Sequence, residues 1–240
     1  MRSRLFVGST IALAALVASG RAHAAGGAFF VDDAAIDDPG ACKVESSISF
    51  AGNRDFIGMS TPACVVQLFK PVELGMNFVR TRQDGEWGSS VIPKAKMNIL
   101  PVETGKIGLA ISGGSSFDAL TGQYTGSFAN IPVTYQFLDT FKINVNGGWI
   151  YDRGNNQHQL TYGAGFEWIP VKPFTIIAEV FGVAGAPGQS TGAREPRFQA
   201  GLRVTPIETI DFDVIYGRNI GGENANWITL GMNVRFPAPK

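Results

Sequence analysis

Histidine and cysteine are scarce in this chain, two of each among 240 residues, and neither sign of charge is in excess, with 20 Lys+Arg against 20 Asp+Glu. A balanced charge leaves nothing over to neutralise a phosphate backbone, which excludes general nucleic-acid binding. Two cysteines cannot build a disulfide-dense scaffold or a four-cysteine zinc site. Two histidines leave little for a histidine metal cluster, so no metal and no cofactor is expected. Beyond the first segment, no run approaches the length of roughly 18 apolar residues that marks a membrane-spanning helix. Glycine is plentiful at 30 residues, with 45% hydrophobic and only 17% charged residues. That balance excludes intrinsic disorder.

Arg2 and Arg4 precede a mostly apolar run from Leu5 to Val17, and Ala22-His23-Ala24 has the small-x-small pattern of a signal-peptidase site. Residues 1–24 therefore read as a secretory signal cut after Ala24, the apolar run being shorter than the ~20 residues an uncleaved anchor needs. After cleavage the chain is slightly acidic and His158 is its one histidine. Export carries it to an oxidising compartment, where Cys42 and Cys64 can pair.

From about residue 41 onward the hydrophobic period is two, the signature of strands with one apolar face. Phe141, Ile143, Val145, Gly147, Trp149 and Tyr151 alternate with Lys142, Asn144, Asn146 and Gly148. Ile228, Leu230, Met232, Val234 and Phe236 alternate with Thr229, Gly231, Asn233 and Arg235. Runs of this kind predict twelve strands of roughly ten residues, the length that crosses a bilayer at a tilt. Short joints (Lys70-Pro71-Val72-Glu73, Leu100-Pro101-Val102-Glu103, Ile169-Pro170-Val171-Lys172, Thr205-Pro206-Ile207-Glu208 and Leu138-Asp139-Thr140) take turns with longer polar ones at 79–88, 113–127, 152–159, 183–196 and 217–226. One hairpin per repeat, with short turns at one end and long loops at the other, is the sidedness of an outer-membrane barrel. A soluble barrel or sandwich is the competing fold, since alternation alone does not say which face is inside. Strand number favours the membrane fold, because a soluble barrel of this type usually has about eight strands. Aromatics near strand ends (Trp87, Trp149, Tyr151, Tyr162, Trp168, Tyr216, Trp227 and Phe236) also favour it, resembling interfacial girdles.

With the apolar face toward lipid, the lumen is expected to hold Lys94, Lys96, Lys142, Glu167, Glu179, Arg197, Arg203, Asp211, Asp213 and Arg235, together with Glu45 and Glu73. Two readings of this mixed-sign set stand side by side: a polar conduit for a small solute, or an ion-pair network that plugs a narrow barrel. Asp211 and Asp213 against Arg197, Arg203 and Arg235 form the densest group. An outer-membrane enzyme is a second class. His158 is its sole imidazole, in the predicted loop Gly154-Asn155-Asn156-Gln157-His158-Gln159, and no Gly-x-Ser-x-Gly elbow occurs. A structural or adhesion barrel acting through its loops is a third, and the 113–127 loop with Phe117, Leu120 and Tyr124 is a candidate for folding inward. Residues 25–40 read as an acidic periplasmic leader. Its Asp32, Asp33, Asp37 and Asp38 lack the glycine-turned spacing of a calcium loop and are expected to be solvated. Cys42 and Cys64 flank Gly52-Asn53-Arg54-Asp55 symmetrically, so a hairpin turning there sets them opposite each other for a disulfide.

Ala28-Phe29-Phe30-Val31-Asp32-Asp33-Ala34, Asp38-Pro39-Gly40, Cys42-Lys43-Val44-Glu45, the Pro-Val-Glu turns and the closing strand Asn226 to Phe236 resemble bacterial outer-membrane proteins of the family associated with the meta-pathway of phenol degradation. The resemblance spans roughly residues 28–237. It implies an outer-membrane β-barrel with a transport role and no fixed catalytic motif. The combined expectation is a signal (1–24), a leader (25–40) and one twelve-stranded antiparallel barrel (41–240) in a bacterial outer membrane. Its partners would be membrane lipid and a small-molecule solute passing by diffusion, with a closed structural barrel as the alternative.

Overall fold

The computed structural model describes residues 28–185, 196–220 and 225–238. The expected secretory signal and most of the expected 183–196 connection lie outside the described residues. Twelve strands follow one another: β1 (Cys42–Ala51), β2 (Phe56–Gln67), β3 (Pro71–Gln83), β4 (Glu86–Leu100), β5 (Ile107–Asp118), β6 (Tyr124–Leu138), β7 (Phe141–Asp152), β8 (Gln157–Val171), β9 (Phe174–Gly185), β10 (Arg197–Ile207), β11 (Ile210–Asn219) and β12 (Asn226–Phe236). Each pairs antiparallel with its sequence neighbours, and β12 closes on β1 with Cys42 opposite Phe236 and Ala51 opposite Trp227. Closure leaves no unpaired edge.

Burial decides which face is inside. Val214 is 57% exposed while its neighbour Asp213 is 2% exposed. The same holds around the wall: Ile48, Leu74, Phe78, Phe212 and Leu230 stand outside, and Glu73, Lys96, Asn144 and Glu167 are buried inside. So large an apolar exterior suits lipid rather than water. Trp87, Trp149, Tyr151, Trp168, Tyr216 and Phe236 keep outward positions near the strand ends and Tyr162 faces outward at mid-wall, but Trp227 does not face outward. Its indole N–H donates to Gln199 Oε1 inside the barrel at 3.3 Å. Trp227 shares the parity of Thr229 and Asn233, so it belongs to the polar face rather than to the girdle.

Both barrel termini share one end with the short connections at 68–70, 101–106, 139–140, 172–173 and 208–209. At the other end the expected long loops at 79–88, 113–127 and 152–159 contract to 84–85, 119–123 and 153–156, because the strands run on past the apolar band. Asp84 (φ 52°) and Gly85 (φ 87°) are both left-handed, the backbone of a two-residue type I′ hairpin turn. The 119–123 connection does not fold inward: Leu120 is 87% exposed, and Phe117 and Tyr124 pack against each other at 5.9 Å. Cys42 and Cys64 are direct register partners and form a disulfide on the outer wall, at the end bearing the termini.

The largest departure is the leader. Residues 28–35 run within the barrel, where Asp33 is completely buried, and the chain emerges at the exposed Asp38, Pro39 and Gly40 before β1. Solvation, expected for all four aspartates, holds only for the second pair, with Asp38 exposed and Asp37 half-buried. The first pair finds lysines on the inner wall.

The lipid-facing assignment makes a quantitative demand. Val214→Arg should cost about 2–4 kcal/mol in urea unfolding from lipid vesicles. The same change on a water-facing wall costs about 0.5 kcal/mol or less, so a small effect would contradict the assignment.

Candidate functional site

The inner wall is built from the polar half of each alternation, which points a charged or amide side chain inward at every second residue. A polar group buried there needs a partner or water. Near the termini, Lys43 Nζ lies 3.2 Å from Glu45 and 3.0 Å from Glu73. On β10 and β11, Arg203 grips Asp213 with two parallel bonds, Nε to Oδ1 at 2.7 Å and Nη2 to Oδ2 at 3.0 Å. That fork is the strong, orientation-fixing form of the pair. Asp211 lies 3.9 Å from Arg203, accepts from Thr205 Oγ1 at 2.7 Å and pairs with Arg235.

The centre of the lumen is occupied by the chain's own N-terminal segment. Asp33 sits between Lys142 at 2.8 Å and Lys96 at 3.7 Å, and Asp32 lies 2.8 Å from Lys96. Lys142 also reaches Glu167 at 3.0 Å. The backbone of the segment is held as closely as its charges. Glu179 accepts the N–H groups of Phe30 at 2.7 Å and Val31 at 3.1 Å, and Gln199 donates to the same carboxylate at 2.7 Å. Asn146 clamps Asp32 from both sides, its Oδ1 accepting the N–H at 2.8 Å and its Nδ2 donating to the carbonyl at 2.6 Å. Thr134 Oγ1 accepts the Ala34 N–H at 2.8 Å, and Asn98 donates to the Ala34 carbonyl at 2.5 Å. Asn144 links Thr134 to Glu167 at 2.8 and 2.9 Å.

Apolar contacts complete the fit. Ala28 and Phe29 cluster with Ile177 and Ile215, and Phe30 stacks on Phe181 at 4.4 Å. The Arg203 guanidinium lies 5.5 Å from the centre of the Phe29 ring. Two wall glycines make room. A Cβ at Gly163 would come within 2.8 Å of Val31, and one at Gly231 within 3.0 Å of Ala28.

Of the expected luminal residues, Arg203, Asp211, Asp213 and Arg235 come together as one network, and Lys96, Lys142, Glu167 and Glu179 all contact or adjoin the segment. Lys94 faces inward, half-buried, without an ion pair among the described residues. Arg197 is not in the network: it stands exposed at the far end of β10. Asn98, Thr134, Asn144, Asn146 and Gln199 were not singled out, although each lies on the polar face of its alternation. His158 is on β8 rather than in a loop, facing outward, stacked on Tyr151 at 4.7 Å and accepting from the Trp149 indole at 3.2 Å. Among the described residues no cluster of His, Cys, Asp or Glu could hold a metal ion.

The chain belongs to the family described as uncharacterised conserved protein UCP029691, whose model matches residues 12–236. No curated protein matches it. Among solved structures it is similar to the NanC porin, with 6% identity, a TM-score of 0.63 and coverage of 80% of this chain and 98% of that one. An outer-membrane channel from Pseudomonas putida F1 shares 14% identity at a TM-score of 0.60, covering 85% of this chain and 98% of that one. The KdgM porin shares 10% identity at a TM-score of 0.57, covering 81% and 99%. At these identities the likeness is one of fold, and the fold is that of outer-membrane channel barrels. The expectation of an outer-membrane channel barrel is borne out, whereas the phenol-degradation family is not what the comparisons match; the membership shown is in UCP029691.

The Arg203 fork carries its own test. Arg203→Met leaves Asp213 buried without its partner and should destabilise the barrel by about 3–5 kcal/mol. Adding Asp213→Leu should recover most of that loss in a double-mutant cycle of urea unfolding. Independent, additive effects would show that the two side chains do not act as a pair.

Proposed function

We propose that this protein is an exported bacterial outer-membrane channel for a small polar solute, freed of its signal by cleavage after Ala24 and closed at rest by residues 28–38. Diffusion down a gradient drives passage, without cofactor or catalysis. One observation carries the reading: the segment in the lumen is held mainly by side chains that a water-filled lumen can rehydrate. Lys96, Lys142, Glu179 and Asn146 exchange contacts with the segment for contacts with water when it leaves. Each such exchange carries a modest net cost, about 1.5–3 kcal/mol for a hydrogen bond to a charged group and about 0.5–1.5 kcal/mol for the neutral Asn146 contacts. A dry, apolar plug would have no such exit.

The anchor of the segment also suits movement. Gly40 takes φ 88°, a conformation that favours glycine, directly after Pro39. The disulfide from Cys42 then fixes the start of β1. In this reading the segment swings about the residues before Gly40, whose own N–H is tied to the Val65 carbonyl at 2.8 Å, while the barrel stays closed. A second reading, a permanently closed barrel acting through its outer connections, draws support from the density of buried ion pairs.

Single-channel recording of the refolded chain in a planar bilayer separates the two. Asn146→Ala combined with Glu179→Gln loosens the segment and should raise the open fraction several-fold over the parent. Ala34→Cys with Thr134→Cys pins it by a disulfide and should abolish the steps until reductant is added. Silence from the parent and the loosened variant, both shown to be folded, would leave the closed barrel as the function.

A further inference from the structure

The register across β12, β1, β2, β3 and β4 defines three outward rungs on the lipid-facing wall. The rung nearest the 84–85 turn runs Ile228, Phe50, Phe56, Arg82, Trp87. The next runs Leu230, Ile48, Gly58, Arg80, Ser89, and the third Met232, Ser46, Ser60, Phe78, Val91. The middle of the lower two rungs is small, at Ser46, Gly58 and Ser60. The wall therefore dips between Ile48, Leu230 and Met232 on one side and Phe78 and Val91 on the other. The dip is a groove of about 660 Å³, with Arg80 on its margin.

Two arginines on a lipid-facing wall call for an explanation, since a cation there is costly in proportion to its depth. The Arg80 guanidinium lies 4.7 Å from the Trp87 ring centre and that of Arg82 lies 5.4 Å from it. Their hydrogen bonds among the described residues go to neutral oxygens, Arg80 to Ser89 Oγ and Arg82 to the Arg54 carbonyl. Neither has a carboxylate within ion-pair distance among the described residues, and each guanidinium has more donors than these bonds use. Guanidinium is the group that recognises phosphate in a fork, and an indole at the interface holds it there.

We propose that this groove and its two arginines form a binding site for one phosphorylated glycolipid of the outer leaflet, an acyl chain in the groove and a phosphate on Arg80 and Arg82. The site rests on the reading that the barrel stands in the outer membrane with its termini in the periplasm, which puts the 84–85 turn at the outer surface. Above the arginines, Asn53, Asp55 and Asp84 cluster, with Asp55 joined to Asn53 at 2.8 Å and to the Asp84 N–H at 3.2 Å. Their remaining acceptors suit the several hydroxyls of a sugar headgroup, of which phosphatidylglycerol offers only two.

Native mass spectrometry of the refolded full chain in neutral detergent tests the site, with lipid A, dephosphorylated lipid A and phosphatidylglycerol as probes. The parent should retain one lipid A. Arg80→Gln with Arg82→Gln should weaken retention on the order of tenfold, and Gly58→Leu, which fills the groove, should do the same with the arginines intact. Removing the phosphates from the probe should match the double variant, an arm that needs no variant to fold. Undiminished lipid A binding by a folded double variant would overturn the proposal. So would equal binding of the dephosphorylated form, or of phosphatidylglycerol. Failure of the membrane reading itself shows separately, as a parent chain that does not insert into vesicles.

Discussion

Asp33, held between Lys96 and Lys142, is the contact that places the segment inside the barrel. Twelve strands enclose more space than inward side chains fill in an eight-stranded barrel, and the inner wall here is polar and charged. Its groups must meet water or protein. Asp33 is fully buried, and a carboxylate in that position without its lysines would be strongly destabilising. The two lysines on β4 and β7 therefore fix where the segment lies, and the Asn146 clamp fixes its register. A slip of one residue would turn Asp33 away from both lysines and Phe29 away from Ile177 and Ile215.

That fit explains part of the glycine content. A wall of alternating large side chains would collide with a chain running past it. Gly163 and Gly231 remove the Cβ where Val31 and Ala28 approach. Space for the segment is thus written into the barrel strands themselves, although a Cβ at Gly231 would also press on Asp213 at 3.0 Å, so that glycine serves the wall as well as the segment.

The barrel was legible because its information is local. Alternation within each strand, turn residues between strands and the midpoint of Cys42 and Cys64 all act over a few residues, and they predicted the strand number, the faces and the disulfide. The segment was not legible because its partners are remote: Asp32 reaches Lys96 across 64 positions, and Asp33 reaches Lys142 across 109. Four aspartates in a leader read as solvated when nothing nearby answers them. The outer connections were overestimated for a different reason. Beyond the apolar band both faces of a strand meet water, so residues such as Ser115, Thr125 and Gln157 extend the strands without the period-two signal. Trp227 shows the converse error, since grouping aromatics by strand end ignored a parity that was readable. Arg197 had the right parity but too high a place on β10 to meet the network.

The charge of the inner wall bears on whether the filled state is permanent. Lys43, Lys94, Lys96, Lys142, Arg203 and Arg235 stand against Glu45, Glu73, Glu167, Glu179, Asp211 and Asp213, so the wall is balanced without the segment. The Arg203-Asp213-Asp211-Arg235 network lies wholly within the wall, as does the group formed by Lys43 with Glu45 and Glu73. Lys142 keeps Glu167 when Asp33 departs. The segment brings Asp32 and Asp33 to a neutral surface and is held by local pairing rather than by net attraction. An emptied lumen then carries no net charge and keeps its wall pairs, and water can take up Lys96 and Glu179. A segment needed to neutralise its barrel could not leave, whereas one that only fills it can exchange with water. That difference is the physical ground for reading residues 28–38 as a gate rather than as part of the wall.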